Sequence, residues 1–156
     1  MYPPRLAFIG KVEKDIVESC KGTGLLPSVM IAQACLESSN GESSLSVKHN
    51  NFFGIKAPPG WSGSKVAEYP TTEYVKGKAI TVQAKFRSYD SMLLGFAGRI
   101  KFLQENERYT RHGVFSSKSS DEQVKALVSA GYATDPKYFS LVTDIIKEYS
   151  LDKYNA

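Results

Sequence analysis

Apolar residues recur at helical spacing over most of the chain, with one stretch in the middle where the texture changes. After Pro3 and Pro4, the positions Leu6, Ile9, Ile16, Val17 and Cys20 fall on one face of a helix that Gly22 and Gly24 stop. A second helix opens at Leu26-Pro27-Ser28, with Ser28 as its cap. Val29 to Ser39 carry its stripe, Met30, Ile31, Ala34 and Cys35 face inward, and Gly41 is the stop. Ser43 to Gly63 is rich in Gly and Pro and reads as loop. Ser64–Tyr74 and Lys78–Tyr89 are rich in Val, Thr, Tyr and Phe around Lys76-Gly77, which predicts a β-hairpin. Helices return after that. Ser91 caps one with Leu93, Phe96, Ile100 and Leu103 inward; Ser120-Asp121-Glu122-Gln123 is a capping box for a second that ends at Gly131. Asp135-Pro136 opens the last, with Phe139, Val142, Ile146 and Tyr149 on its buried side. The pattern predicts a mainly α (α+β) fold: packed helices with one projecting hairpin.

The 156 residues, 42% hydrophobic and 23% charged, suit a single domain over 1–156 with a sizeable core. No stretch is long and apolar enough to span a bilayer, and the first residues lack the pattern of a secretory signal. The net charge of +4 is scattered, with no dense basic run carrying interleaved aromatics, so neither nucleic-acid binding nor membrane insertion is expected. Cys20 and Cys35 read as buried thiols, with a disulfide between the first two helices as the alternative. His49 and His112 lie apart and no cysteine or histidine spacing suits a metal, so neither metal nor cofactor is expected.

Among residues that carry chemistry, Glu37 ends an apolar helix in AQACLESSNG. Apolar neighbours and the negative helix end both favour its protonated form, which a glycosidase acid requires near neutral pH. A solvated helical glutamate is the plainer alternative. Glu73, in PTTEYVKGK beside the hairpin turn, is the candidate for the second carboxylate of glycoside hydrolysis, with Glu68 and Asp90 as competitors. The chain has nine Tyr, eight Phe and one Trp, and sugar rings present apolar faces to such platforms. Phe52, Phe53, Trp61, Tyr74 and Tyr132 lie where cleft walls would form, although Phe52 and Phe53 suit a core equally well.

Five stretches in order, AQACLESSNG, NNFFGIKAPPGW, TTEYVKGK, AKFRSYDS and GYATDPKYF, resemble the glucosaminidases of glycoside hydrolase family 73, over about Ile31 to Ile146. The resemblance implies a lysozyme-like helical domain with a β-hairpin lobe flanking the cleft. It also implies endo-β-N-acetylglucosaminidase action on the peptidoglycan glycan strand at the bacterial cell wall. By motif, Glu37 falls on the general acid, Glu73 on the second carboxylate and Tyr132 on the cleft tyrosine beside the N-acetyl group. Asn51, Phe53 and Gly54 fall in the substrate-binding motif, with Phe52 where leucine is usual; Trp61, Tyr74 and Asp90 complete the expected substrate contacts. Inverting hydrolysis and attack by the substrate's own N-acetyl oxygen stand level. A lytic transglycosylase, a muramidase or a non-catalytic wall-binding module are the rivals. A monomer is expected, as a phage or prophage lysin released through a pore, an autolysin, or a trimmed piece of a secreted protein.

Overall fold

A computed structural model describes residues 1–63 and 65–156. Along the chain come α1 (Pro3–Cys20), α2 (Pro27–Glu37), α3 (Ser44–His49), β1 (Lys65–Val75), β2 (Lys78–Ser88), α4 (Met92–Glu105), α5 (Glu107–Arg111), α6 (Ser120–Ser129) and α7 (Tyr138–Glu148). Short 3-10 turns lie at Val114–Ser116 and Leu151–Asn155. The first residue expected in the hairpin, Ser64, lies outside the described residues.

The fold is organised around α2, whose residues from Pro27 to Cys35 are all buried. A helix apolar on every side must be surrounded, and α1, α6, α7 and the final 3-10 turn pack against it. Burying a side chain such as Met30 or Ile31 there contributes about 2 kcal/mol. Pro27, at the first helical position, opens α2 without a side-chain cap. Ser28 is therefore not the cap expected: it is fully buried, and its N–H donates to Asn155 Oδ1 at 2.9 Å. The far end is pinned firmly. Ser38 Oγ donates to the Ala34 carbonyl at 2.6 Å and accepts the Gly41 N–H at 2.8 Å. Ser39, Asn40 and Gly41 all have positive φ, and a Cβ on Gly41 would lie 2.5 Å from the Phe8 ring. Glu37 thus sits on a rigid last turn.

Several expected details are corrected. The stretch from Ser43 contains a helix, α3, ending at His49; only Ser46 of it is buried, so it has no apolar stripe, and the Ser43 side chain caps it. Leu6 and Leu93 are exposed, on the outward sides of α1 and α4 rather than in the core. Asp135-Pro136 forms a turn in which Asp135 Oδ1 accepts the Lys137 N–H, so α7 starts at Tyr138. Tyr138, not Phe139, then faces inward with Val142, Ile145 and Ile146. The cap of α6 is Ser119 rather than Ser120, with Glu122 Oε2 reaching back to the Lys118 N–H. That one-residue shift buries Gln123, which bonds Gly24, Leu26 and Val114 through their backbones. Both cysteines are free; Cys20 Sγ lies 3.6 Å from Met30 Sδ, and burial pushes the thiols up to about 12 at Cys20 and about 11 at Cys35.

β1 and β2 pair antiparallel from Lys65↔Ser88 to Val75↔Lys78. Lys76 and Gly77 both have positive φ, the signature of a two-residue type I′ turn. Ala67, Tyr69, Thr71 and Glu73 share one face with Phe86, Ala84, Val82 and Ile80, buried at the base and open at the tip. The loop after α3 anchors the base: Ala57 N–H donates to the Lys85 carbonyl and Arg87 N–H to that of Ile55. Among the described residues no helix is long and apolar enough to cross a membrane.

Candidate active site

Glu37 opens onto a cavity of about 270 Å³ whose walls include Phe53, Gly54, Lys56, Phe102, Arg108 and Tyr132. α2 supplies Glu37, the loop after α3 supplies Phe53 to Lys56, and α4, α5 and the segment after α6 supply the rest.

Two hydroxyls hold the carboxyl. Tyr132 Oη donates to Oε1 at 3.2 Å and Oε2 at 3.1 Å, and Tyr138 Oη donates to Oε2 at 3.2 Å. Behind them Gln33 Nε2 donates to Tyr138 Oη at 2.9 Å, and Arg99 Nη2 donates to Gln33 Oε1 at 2.6 Å. The Arg99 guanidinium stacks 4.3 Å from the Phe53 ring centre and 5.3 Å from that of Tyr132. Burial lifts the Glu37 pKa to about 7, against the pull of Arg99 and the two tyrosine hydroxyls in the other direction. At neutral pH a large share of Glu37 therefore keeps its proton. Burial raises both tyrosines as well, so they remain neutral donors.

The expected residues divide. Glu37, Tyr132, Phe53 and Gly54 meet at the cavity. Asn51 does not line it: it is 2% exposed, its Nδ2 donates to the carbonyls of Ile55 and Arg87, and its Oδ1 accepts the Ile55 N–H. It shapes the loop that carries Phe53 and cannot touch a substrate directly. Trp61 adjoins the wall through Arg87, whose guanidinium lies 3.9 Å from the Trp61 ring centre and 5.7 Å from that of Phe102. Tyr74 points from the outer hairpin face, 76% exposed. Asp90 pairs with Lys65 at 3.7 Å and lines a different groove, between the hairpin base and α4. Glu68 is on the outer face, paired with Lys85, whereas Glu73 is on the inner face, 3.6 Å from the Lys56 ammonium on the cavity wall. Glu73, the residue expected as second carboxylate, thus contacts the cavity rim through Lys56.

Gln33, Arg99 and Tyr138 were not anticipated. Arg99 carries a readable signal: it lies three residues after Phe96 on the face shared with Ile100 and Leu103, where a charge is out of place. Gln33 is the matching polar intrusion in α2.

A family model described as mannosyl-glycoprotein endo-beta-N-acetylglucosaminidase matches residues 13–151. The chain belongs to this glucosaminidase family. Within it, the chain is 35% identical over 146 residues to the peptidoglycan hydrolase FlgJ of Escherichia coli (strain K12), covering 91% of this chain and 46% of FlgJ. It is 36% identical over 134 residues to the exo-glucosaminidase LytG of Bacillus subtilis (strain 168), covering 84% of this chain and 46% of LytG. The chain spans less than half the length of these curated relatives. The catalytic domain of the autolysin Auto from Listeria monocytogenes superposes with a TM-score of 0.85 at 30% identity, over 99% of this chain and 89% of that one. The glucosaminidase is a mainly helical glycoside hydrolase domain with a two-stranded sheet, as its residue pattern and motifs led one to expect.

Proposed function

We propose that this glucosaminidase domain hydrolyses the β-1,4 bond between N-acetylglucosamine and N-acetylmuramic acid inside the peptidoglycan strand, working as a monomer at the cell wall. The observation that carries the reading is the Glu37 carboxyl, half-buried on a cavity wall and held by two tyrosine hydroxyls, where burial lifts its pKa to about 7. Relatives that cleave peptidoglycan and glucosaminide bonds support the same substrate.

In this mechanism Glu37 gives its proton to the glycosidic oxygen as the bond from that oxygen to the anomeric carbon breaks. Tyr138 donates to Oε2 alone and the single Tyr132 hydrogen is shared between the two oxygens, so Oε1 is the less hydrogen-bonded oxygen and the better placed to carry the proton. Water adds to the anomeric carbon and loses a proton to Glu73, which passes it to solvent while solvent reprotonates Glu37. Lys56 lies 3.6 Å from Glu73 in an exposed and therefore weak ion pair that holds the hairpin carboxylate toward the cavity wall. Glu73→Gln is expected to lower kcat about 10²-fold, the lower end for a lost acid–base group. Full kcat in that variant would transfer the second role to the substrate's N-acetyl oxygen.

The bond is decided by products. Purified peptidoglycan is digested, the new ends are reduced with borohydride, and the fragments are weighed by mass spectrometry. Reduced N-acetylglucosamine ends are expected. Reduced muramic acid ends would make the enzyme a muramidase, and 1,6-anhydro ends a lytic transglycosylase; either overturns the proposal.

A further inference from the structure

Arg99 is only 1% exposed, and among the described residues no carboxylate lies within salt-bridge distance of it. Its Nε is buried with no hydrogen-bond partner. A buried, unpaired charge with an idle donor lowers stability, and an apolar side chain of similar size would serve the core better. The cation's value must lie in what it does to its surroundings.

Its one strong hydrogen bond fixes an otherwise ambiguous amide. A guanidinium only donates, so Gln33 must present Oε1 to Arg99, which turns Nε2 toward Tyr138. Tyr138 Oη, accepting that N–H, has its own hydrogen free for Glu37. Every donor in the chain Arg99–Gln33–Tyr138–Glu37 therefore points toward the carboxyl, and each bond polarises the next.

We propose that Arg99 is a positioning residue for the acid: it sets the direction of this relay and so fixes where the Glu37 proton points and how readily it leaves. Without it, Gln33 is free to rotate, Tyr138 can accept instead of donate, and the buried carboxyl loses both its fixed donor and the nearby positive charge. Glu37 would then hold its proton more tightly and give it up more slowly. The other titratable or charged groups around the acid are Lys56 from the loop before the hairpin, Arg108 and Tyr109 from α5, Tyr132 from the segment after α6 and Tyr138 from α7. Glu73 faces Lys56 from the hairpin, and Arg99 also acts on Cys20 in α1. Among the described residues, Arg99 is the cation joined to Glu37 by a hydrogen-bonded chain.

The inference rests on Glu37 being the acid. Its test is an NMR titration of the Glu37 carboxyl carbon in the full chain, paired with the pH profile of kcat. Arg99→Met is expected to raise the titration midpoint by about one pH unit or more, the scale for losing an adjacent opposite charge. The alkaline limb of kcat moves up with it while kcat falls. Arg99→Lys, keeping the charge, moves the midpoint less. Gln33→Leu, which cuts the relay and leaves the cation, gives a smaller upward move and serves where Arg99→Met does not fold. An unchanged midpoint in folded Arg99→Met, or in Gln33→Leu, overturns the proposal. The midpoint needs no substrate, so an error in bond specificity would appear in the fragment masses and leave the titration as it is.

Discussion

Glu37→Gln is expected to lower peptidoglycan lysis by about three orders of magnitude while the fold and saccharide binding persist. Glutamine keeps the shape of the side chain and can still accept from Tyr132 and Tyr138, so the cavity wall stays in place. What disappears is the transferable proton. The same variant has a stability signature of the opposite sign. Folding raises the Glu37 pKa from 4.5 to about 7, so the native state binds its proton more tightly than the unfolded chain. The associated stability is fully present below pH 4.5 and is lost as pH rises through about 7, amounting to about 3 kcal/mol at 1.36 kcal/mol per unit. Glutamine does not titrate. The variant should therefore melt above the wild type at pH 8 and close to it at pH 4, while its lysis stays far below that of the wild type. Thermal melts at the two pH values, alongside lysis rates, check both halves; wild-type lysis by the variant would remove Glu37 from the mechanism.

Gly95→Ala is expected to destabilise the domain by about 3 kcal/mol, the upper end for overpacking, and to lower its melting temperature by roughly 6–12 °C. A methyl at this position of α4 would lie 2.1 Å from the Asn50 carbonyl oxygen and 3.3 Å from the carbonyl carbon. Backbone, not a flexible side-chain tip, is what must yield. Alanine's better helix propensity returns only about 1 kcal/mol, so the clash wins. Asn50 ends α3 in a left-handed conformation with its amide bonded to the Tyr89 carbonyl, and the next residues carry Phe53 to the cavity. Displacing them should cost activity as well as stability. Calorimetry showing an unchanged melting temperature would refute the close packing of α4 on this loop.

How much of this was legible in the chain follows from how local each feature is. The hairpin was readable because the type I′ turn at Lys76-Gly77 and the flanking β-branched residues act over a few positions. The Ser91 cap was readable for the same reason: its hydroxyl accepts the Leu94 N–H three residues on. Glu37 stood out because a carboxylate at the end of an apolar helix conflicts with its surroundings. The family motifs then drew Tyr132 and Phe53 to it. Features decided by distant partners were not readable. Helix α3 has no apolar period and is held by its cap, so it passed for loop. Phe139 and Tyr138 exchanged places because the Asp135 turn delays the start of α7 by two residues. The relay behind the acid joins residues 66, 105 and 101 positions apart, a separation over which no local pattern operates. The odd placements of Gln33 and Arg99 on apolar faces were nevertheless its trace in the sequence.

The most direct test of the account is infrared difference spectroscopy of wild type against Glu37→Gln as pH is raised. A protonated carboxyl band assignable to Glu37 should persist through the ordinary carboxylate range and disappear around pH 7. Its loss near pH 4.5, where an exposed glutamate ionises, would contradict the account.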